Sequence, residues 1–270
     1  MRSRALRATG AVLLFAWVAA PLAWALLASL TPEPELFDRG IFPSRLTAGH
    51  YRALFESRDF ATPVRNSIVV ALSTTVVAIA FAVPAAWALA RFPFRGRSLV
   101  LGIILGISVF PQIAIVSPLF LLLRALRLIN TYPGLVLPYL TFALPLAIWL
   151  LAGFFRQIPG ELEEAALVDG AGPLQMLVRI ILPVAAPGIA TTAILTFIYC
   201  WNEFLFALSF TLGADRQTVP VAIALFRGQY QVPWGEILAA AMVATLPVIA
   251  VVLSFQRKIV EGLTAGAVKG

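Results

Sequence analysis

The chain has 270 residues, 60% of them hydrophobic and 12% charged, with a mean hydropathy of +0.92. Soluble domains carry roughly 45–50% apolar and about 25% charged residues, so this composition excludes a soluble enzyme or binding module and places the chain in a bilayer. The formal charge of +7 is spread in twos and threes beside apolar runs, which is the pattern of membrane topology and not of a nucleic-acid face.

A helix needs about 20 mainly apolar residues to cross the hydrocarbon core. Segments of that kind run over Gly10–Leu30, Val64–Ala90, Leu99–Leu123, Thr131–Phe155, Gly188–Leu212 and Ile237–Phe255. They predict an all-α, polytopic membrane protein of six transmembrane helices in a single transmembrane domain, residues 1–270. Pro21, Pro84, Pro111, Pro118, Pro138, Pro145 and Pro247 fall inside these runs, where neighbouring helices can satisfy the freed backbone groups, and they predict kinks. A β-barrel would need repeated ten-residue alternating segments, which are absent. The first run follows a basic MRSRALR stretch, as a cleaved signal peptide does, but its apolar length through Trp17, Pro21 and Trp24 favours a retained helix. Cys200, the only cysteine, lies within the fifth run, so no intrachain disulfide exists.

Short basic segments orient the bundle. Arg2, Arg4 and Arg7 at the N-terminus, and Arg91, Arg95 and Arg97 between the second and third runs, stand without acids and predict a cytoplasmic side. Six spans then return the C-terminal tail, with Arg257, Lys258 and Lys269, to that side. The segment from Thr31 to Pro63 falls outside, and His50 reads there as a solvated loop residue.

The cytoplasmic segment Arg156–Ala186 contains GELEEAALVDGAG, a short helix by its signals: Pro159 near the start, Glu161, Glu163 and Glu164 against the N-terminal dipole, and Gly170 as a C-terminal cap. Leu162, Ala165 and Ala166 share a face that two alanines leave shallow. A solvated linker with one helical turn has the same pattern. The spacing Glu164-Ala165-Ala166, three residues, Gly170, nine residues, Ile180, one residue, Leu182-Pro183 resembles the EAA signature of ABC-importer permease subunits at every named position. Trp201–Phe204 (WNEF), Thr218–Glu236 and the terminal EGLTAGAVKG are similar to the carbohydrate-uptake type, in particular the smaller maltose-type (trehalose/maltose) permease. The resemblance runs from the second span to the last residue.

That resemblance implies a type I permease fold with both termini cytoplasmic in a prokaryotic inner membrane. The subunit would pair with a second permease, two ATPase subunits and an external sugar-binding protein. It implies that Glu164, Ala165, Ala166, Asp169, Gly170 and Gly172 form a helix docking on the ATPase, with Glu164 meeting a basic partner and the two alanines setting the approach. It also implies that Phe226, Arg227, Gly228, Gln229 and Tyr230 form an outer loop entering the binding protein's cleft. Gly262, Thr264, Gly266 and Lys269 would lie in a tail reaching the ATPase, with glycines permitting turns. An exposed turn and a disordered tail are the alternatives for these last two.

Independent of resemblance, a P-loop needs GxxxxGK[ST], and the only lysines, Lys258 and Lys269, precede Ile259 and Gly270. ATP and Mg therefore belong on other subunits, no cofactor is expected on this chain, and it is not expected to be an enzyme. Without a His/Cys cluster no metal site is expected either. An ionisable group inside a span marks a pathway or a buried partner, so Trp201, Asn202 and Glu203 either line a sugar path or bond to neighbouring helices. Two other readings use the same residues: a proton-coupled secondary sugar transporter with Glu203 as its proton site, and a non-transporting membrane scaffold docking through Glu161–Gly172.

Overall fold

A computed structural model describes residues 2–37, 43–226 and 232–265. Its helices are α1 (Arg2–Ser29), α2 (Gly49–Glu56), α3 (Ala61–Arg91), α4 (Arg97–Val109), α5 (Gln112–Ala125), α6 (Tyr132–Phe155), α7 (Glu161–Val168), α8 (Pro173–Met176), α9 (Leu182–Trp201), α10 (Leu205–Phe210), α11 (Val219–Ala224) and α12 (Trp234–Ala265). A π-helical turn, Leu177–Ile181, joins α8 to α9, and no strand occurs among the described residues. Thr9–Ser29, Ala61–Arg91, Tyr132–Phe155, Pro173–Trp201 and Trp234–Gln256 are each long and apolar enough to cross a membrane. A sixth crossing exists if α4 and α5, which meet at 90°, form one span.

α3, α6 and α9 pack together at the centre, α4 lies on α6, and α12 packs against both α9 and α1. Two buried clusters result. One, at the α7 end, joins Trp87, Leu151, Phe155, Ala166, Met176 and Ile181. The other, towards α2, α10 and α11, joins Leu54, Phe60, Tyr139, Phe206, Phe210 and Val219. α6 and α9 approach closely because Gly188 faces Phe154, where a Cβ would lie 2.7 Å from the ring's Cγ.

Two of the expected spans are corrected. The third run, Leu99–Leu123, is not one rod: Phe110 takes ψ 136°, the extended conformation that a following proline imposes, and α5 restarts after Pro111. The fifth, expected at Gly188–Leu212, sits further back. Its helix already includes Leu182 to Pro187 and stops at Trp201, leaving α10 separate. Pro183 has no N–H to give the carbonyl four residues earlier, and the adjoining π-turn absorbs that loss without ending the helix. Pro21, Pro84, Pro118, Pro138, Pro145 and Pro247 lie within helices that continue past them.

At the end opposite α7, the segment after α10 is bonded into the bundle by side chains. Asn66, fully buried on α3, donates to the carbonyls of Asp215 (3.0 Å) and Gln217 (2.9 Å) and accepts from the Tyr132 hydroxyl at 2.7 Å. At the next residue, Ser67 Oγ accepts the Val219 N–H at 2.8 Å. Asn66→Ala leaves a hydroxyl and two carbonyls without this partner, and each buried unpaired group costs about 1–3 kcal/mol. We expect a clear drop in the thermal unfolding midpoint of the detergent-purified protein, with Ser67→Ala, which orphans one N–H, falling less.

Candidate functional site

α7 is built by its flanks. The Gly160 carbonyl accepts the N–H groups of Glu163 (2.9 Å) and Glu164 (3.1 Å), and three acids fill the first turn against the positive helix end. At the other end Gly170 adopts φ +77°, the left-handed region in which a side chain is strained. Its N–H donates to Leu167 O at 3.0 Å, and the Ala171 N–H donates to Ala166 O at 2.9 Å, a complete Schellman ending. Gly172 then precedes Pro173 at the start of α8, and its N–H donates to Gln175 Oε1 at 3.3 Å.

The helix has two faces. Ala166, expected on the docking surface beside Ala165, instead points inward with 4% of its surface exposed, packed in the cluster of Trp87 and Phe155. Glu163 is three residues before Ala166 and therefore on the same side; its Oε1 lies 3.1 Å from Arg91 Nε and accepts the Trp87 indole N–H at 3.0 Å. Glu164, Ala165 and Asp169 are exposed, as are Leu162, and Leu167 and Val168 at 61% and 88%. Leu174 on α8 and Val178 beyond it are exposed too, and Leu167 and Val168 share a face of α7 with Glu164, which stands three and four residues before them. Exposed Leu and Val in a polar connecting helix are the signal that pattern matching on Glu164, Ala165 and Ala166 passed over.

At the break after α9, Glu203 is 6% exposed and both of its oxygens are engaged: Oε1 accepts the Phe206 N–H at 2.8 Å and Oε2 the Ala207 N–H at 3.1 Å. The carboxylate thus caps α10, its partners lying in its own chain. Asn202 donates to Ile198 O at 2.8 Å and faces a cleft of about 650 Å³ between α1, α9, α11 and α12, which Trp201, Pro220, Met242 and Thr245 also line. Trp201 stacks on Phe197 at 5.8 Å. The structure therefore brings Trp201 and Asn202 to one cleft and turns Glu203 away into a helix start.

At the opposite end, Phe226 is a core residue and not part of an exposed loop. It is 8% exposed, packs edge-on against Phe60 at 5.8 Å, and lies under the Arg58 guanidinium at 5.2 Å. Arg227, Gly228, Gln229 and Tyr230 lie outside the described residues. The far root of that segment is fixed too: Glu33 accepts the N–H groups of Trp234 and Gly235, both at 3.0 Å, and Arg58 pairs with Glu236 at 2.9 Å. His50 is not in a loop but in the first turn of α2, donating from Nε2 to Thr31 O at 2.8 Å beside Gly235. A polar cleft of about 400 Å³ opens there among Arg58, Asp59, Arg65, Asp215 and Arg216. It joins three separated chain segments, and no local pattern announces it. Gly262 and Thr264, expected in a turning tail, are instead within α12; Gly266 and Lys269 lie outside the described residues. Among the described residues no three His, Cys, Asp or Glu are grouped to hold a metal ion.

Residues 78–264 match the family described as binding-protein-dependent transport system inner membrane component. The chain is 49% identical over 252 residues to the trehalose transport system permease protein SugB of Mycobacterium tuberculosis, covering 93% of this chain and 92% of that one. It is 40% identical over 270 residues to the trehalose/maltose transport system permease protein MalG of Thermococcus litoralis, covering 99% and 97%. A crystal structure of a bacterial ABC transporter involved in import of the acidic polysaccharide alginate contains a chain that superposes with a TM-score of 0.76 at 25% identity, over 95% of this chain and 98% of that one. Connecting helix, broken spans and sequence therefore agree: the chain belongs to the binding-protein-dependent transport system inner membrane component family, as a membrane permease subunit of the ABC-importer type.

Proposed function

We propose that the chain forms half of the pathway of an ATP-driven importer that takes up a sugar, a disaccharide such as trehalose or maltose, delivered by an external binding protein. The observation that carries the reading is the outward face of α7: Leu167 and Val168 are exposed on the same face as the acidic Glu164, on a helix ended by Gly170 and followed by the exposed Leu174 of α8. Such a face on a connecting helix fits a protein partner, and the ATPase subunits are the partner proposed, with ATP and Mg held there and no cofactor on this chain. Kinship to trehalose and trehalose/maltose permeases supports the substrate class. A second permease subunit is proposed to complete the path that Trp201 and Asn202 border. Both termini and α7 are read as cytoplasmic, because Arg91, Arg95, Arg97 and Arg156 gather at the α7 end.

The same reading assigns Arg227–Tyr230 to the binding protein and the residues after α12, with Gly266 and Lys269, to the ATPase. Its support at the outer end is that Phe226 and Trp234 hold both roots of the short segment in place. Proton coupling through Glu203 gains nothing from the geometry, since a carboxylate bonded to two backbone amides acts as a helix cap.

Two measurements test the reading. Proteoliposomes holding this chain, its partner permease and the ATPase should accumulate labelled trehalose or maltose only with ATP and loaded binding protein; accumulation on a proton gradient alone would overturn it. Val168→Asp, at a site 88% exposed, should leave insertion intact and weaken ATPase co-purification about tenfold or more, the usual scale for an interface anchor. Glu164→Lys should weaken it in a salt-dependent way, whereas Gly170→Val, which forces a β-branched residue into a conformation costing about 1–2 kcal/mol, should do so at any salt.

A further inference from the structure

α7 is attached to the bundle by more than apolar contact. Trp87 and Arg91 stand one turn apart at the end of α3 and reach the same connecting segment. Arg91 Nη2 donates to the Ile158 carbonyl, in the turn that leads into α7, while Arg91 Nε lies 3.1 Å from Glu163 Oε1 in its first turn. The Trp87 indole donates to that same oxygen at 3.0 Å, and its ring is held edge-on by Phe92 at 5.1 Å. The two charged side chains are only 17% and 16% exposed, so water competes weakly for them. Each charge also sits at the helix end that favours it, the cation in the last turn of α3 and the carboxylate in the first turn of α7. One turn along on the same side of α7, Ala166 is buried in the cluster that also holds Trp87 and Phe155. None of these residues belongs to the outward face of Glu164, Leu167 and Val168.

We propose that Trp87, Arg91 and Glu163 form a latch that makes α7 move as one body with α3, so that displacement of the docking face is delivered to the packed α3, α6 and α9 core. They are positioning residues: they touch neither nucleotide nor sugar, and they act through the rigidity of the α7–α3 joint. The proposal rests on the reading of α7 as the ATPase-docking helix. Without the latch, α7 would still present its outward face, but its flanking turns at Gly160 and Gly170 would take up the motion locally.

The test uses the assembled transporter and separates docking from transmission. Glu163→Gln, Arg91→Glu and Trp87→Phe are each expected to keep the ATPase at wild-type stoichiometry while cutting the stimulation of ATP hydrolysis by loaded binding protein, and sugar uptake, about five- to tenfold. Arg91→Glu combined with Glu163→Arg restores an opposite-charge pair but not the bonds to Trp87 and Ile158, and should recover part of the stimulation that Arg91→Glu alone loses, a rescue that a purely packing role would not give. Undiminished stimulation in Glu163→Gln and Trp87→Phe overturns the latch. So does loss of the ATPase from these variants, which would make the contact a shaper of the docking face. If Val168→Asp leaves ATPase binding unchanged, the docking reading of α7 fails instead, whatever the latch variants do.

Discussion

Hydrocarbon offers a backbone no hydrogen bonds, so every place where a span is interrupted must be closed by the chain itself, and the architecture follows from how each interruption is closed. At the end of α9 the closing group is a side chain: Glu203 supplies two acceptors to the first free amides of α10. At Phe110 and Pro111 the 90° bend is held by a neighbour, since Gln112 at the start of α5 donates to the Tyr199 hydroxyl on α9 at 2.6 Å. Around Pro183 the solution is internal, a π-turn that re-registers the ladder. Buried threonines on α9 follow the same rule, with Thr192 and Thr196 donating to carbonyls four residues earlier.

Closure of this kind separates mobile joints from rigid bodies. α3, α6 and α9 carry the closely packed interior, including the Gly188–Phe154 approach, and have little freedom to deform one against another. α7, by contrast, is eight residues long and ends on a left-handed glycine, so by itself it would be a hinged flap. What gives it a defined position is its inner side, where Glu163 meets Trp87 and Arg91 of α3 and Ala166 is buried, while Leu167 and Val168 on its outer side are exposed. A short helix with one face bonded inward and one apolar face open transmits motion only if the first face is stiffer than the second.

Much of this was legible in the sequence. Apolar length placed α1, α3, α6 and α12, because a run of about 20 residues without charge has few folds open to it in a bilayer. The spacing from Glu164 to Pro183 located α7 and its glycine ending, which depend on local backbone chemistry. Hydropathy failed where a break is short: it sums over a window, so Asn202 and Glu203 vanished among the apolar residues of α9 and α10 and the fifth span was drawn too far along. Pro111 did carry the signal for the bend in the third span, in its effect on Phe110, although proline alone does not distinguish it from Pro118, which sits inside α5. The inward turn of Ala166 and the engagement of Glu163 with Trp87 and Arg91 were illegible, because they depend on residues more than 70 positions apart.

α1 shows where packing within one chain stops determining position. Its apolar side chains are exposed almost all round, Trp17 by 83%, and its helical neighbour is α12. In lipid there is no hydrophobic gain from pressing an apolar helix against others, so van der Waals fit and polar contacts must set its place. Among the described residues its polar contacts lie at one end. The Ser29 and Tyr51 hydroxyls lie 2.7 Å apart, Thr47 N–H donates to Leu30 O at 2.8 Å, and His50 reaches Thr31 O. Glu33, just beyond, caps α12. The family match begins at Ala78, halfway along α3, so α1 lies before the matched part of the chain. A helix anchored at one end, apolar around its circumference and outside that matched core takes the rest of its surroundings from what adjoins the chain in the membrane.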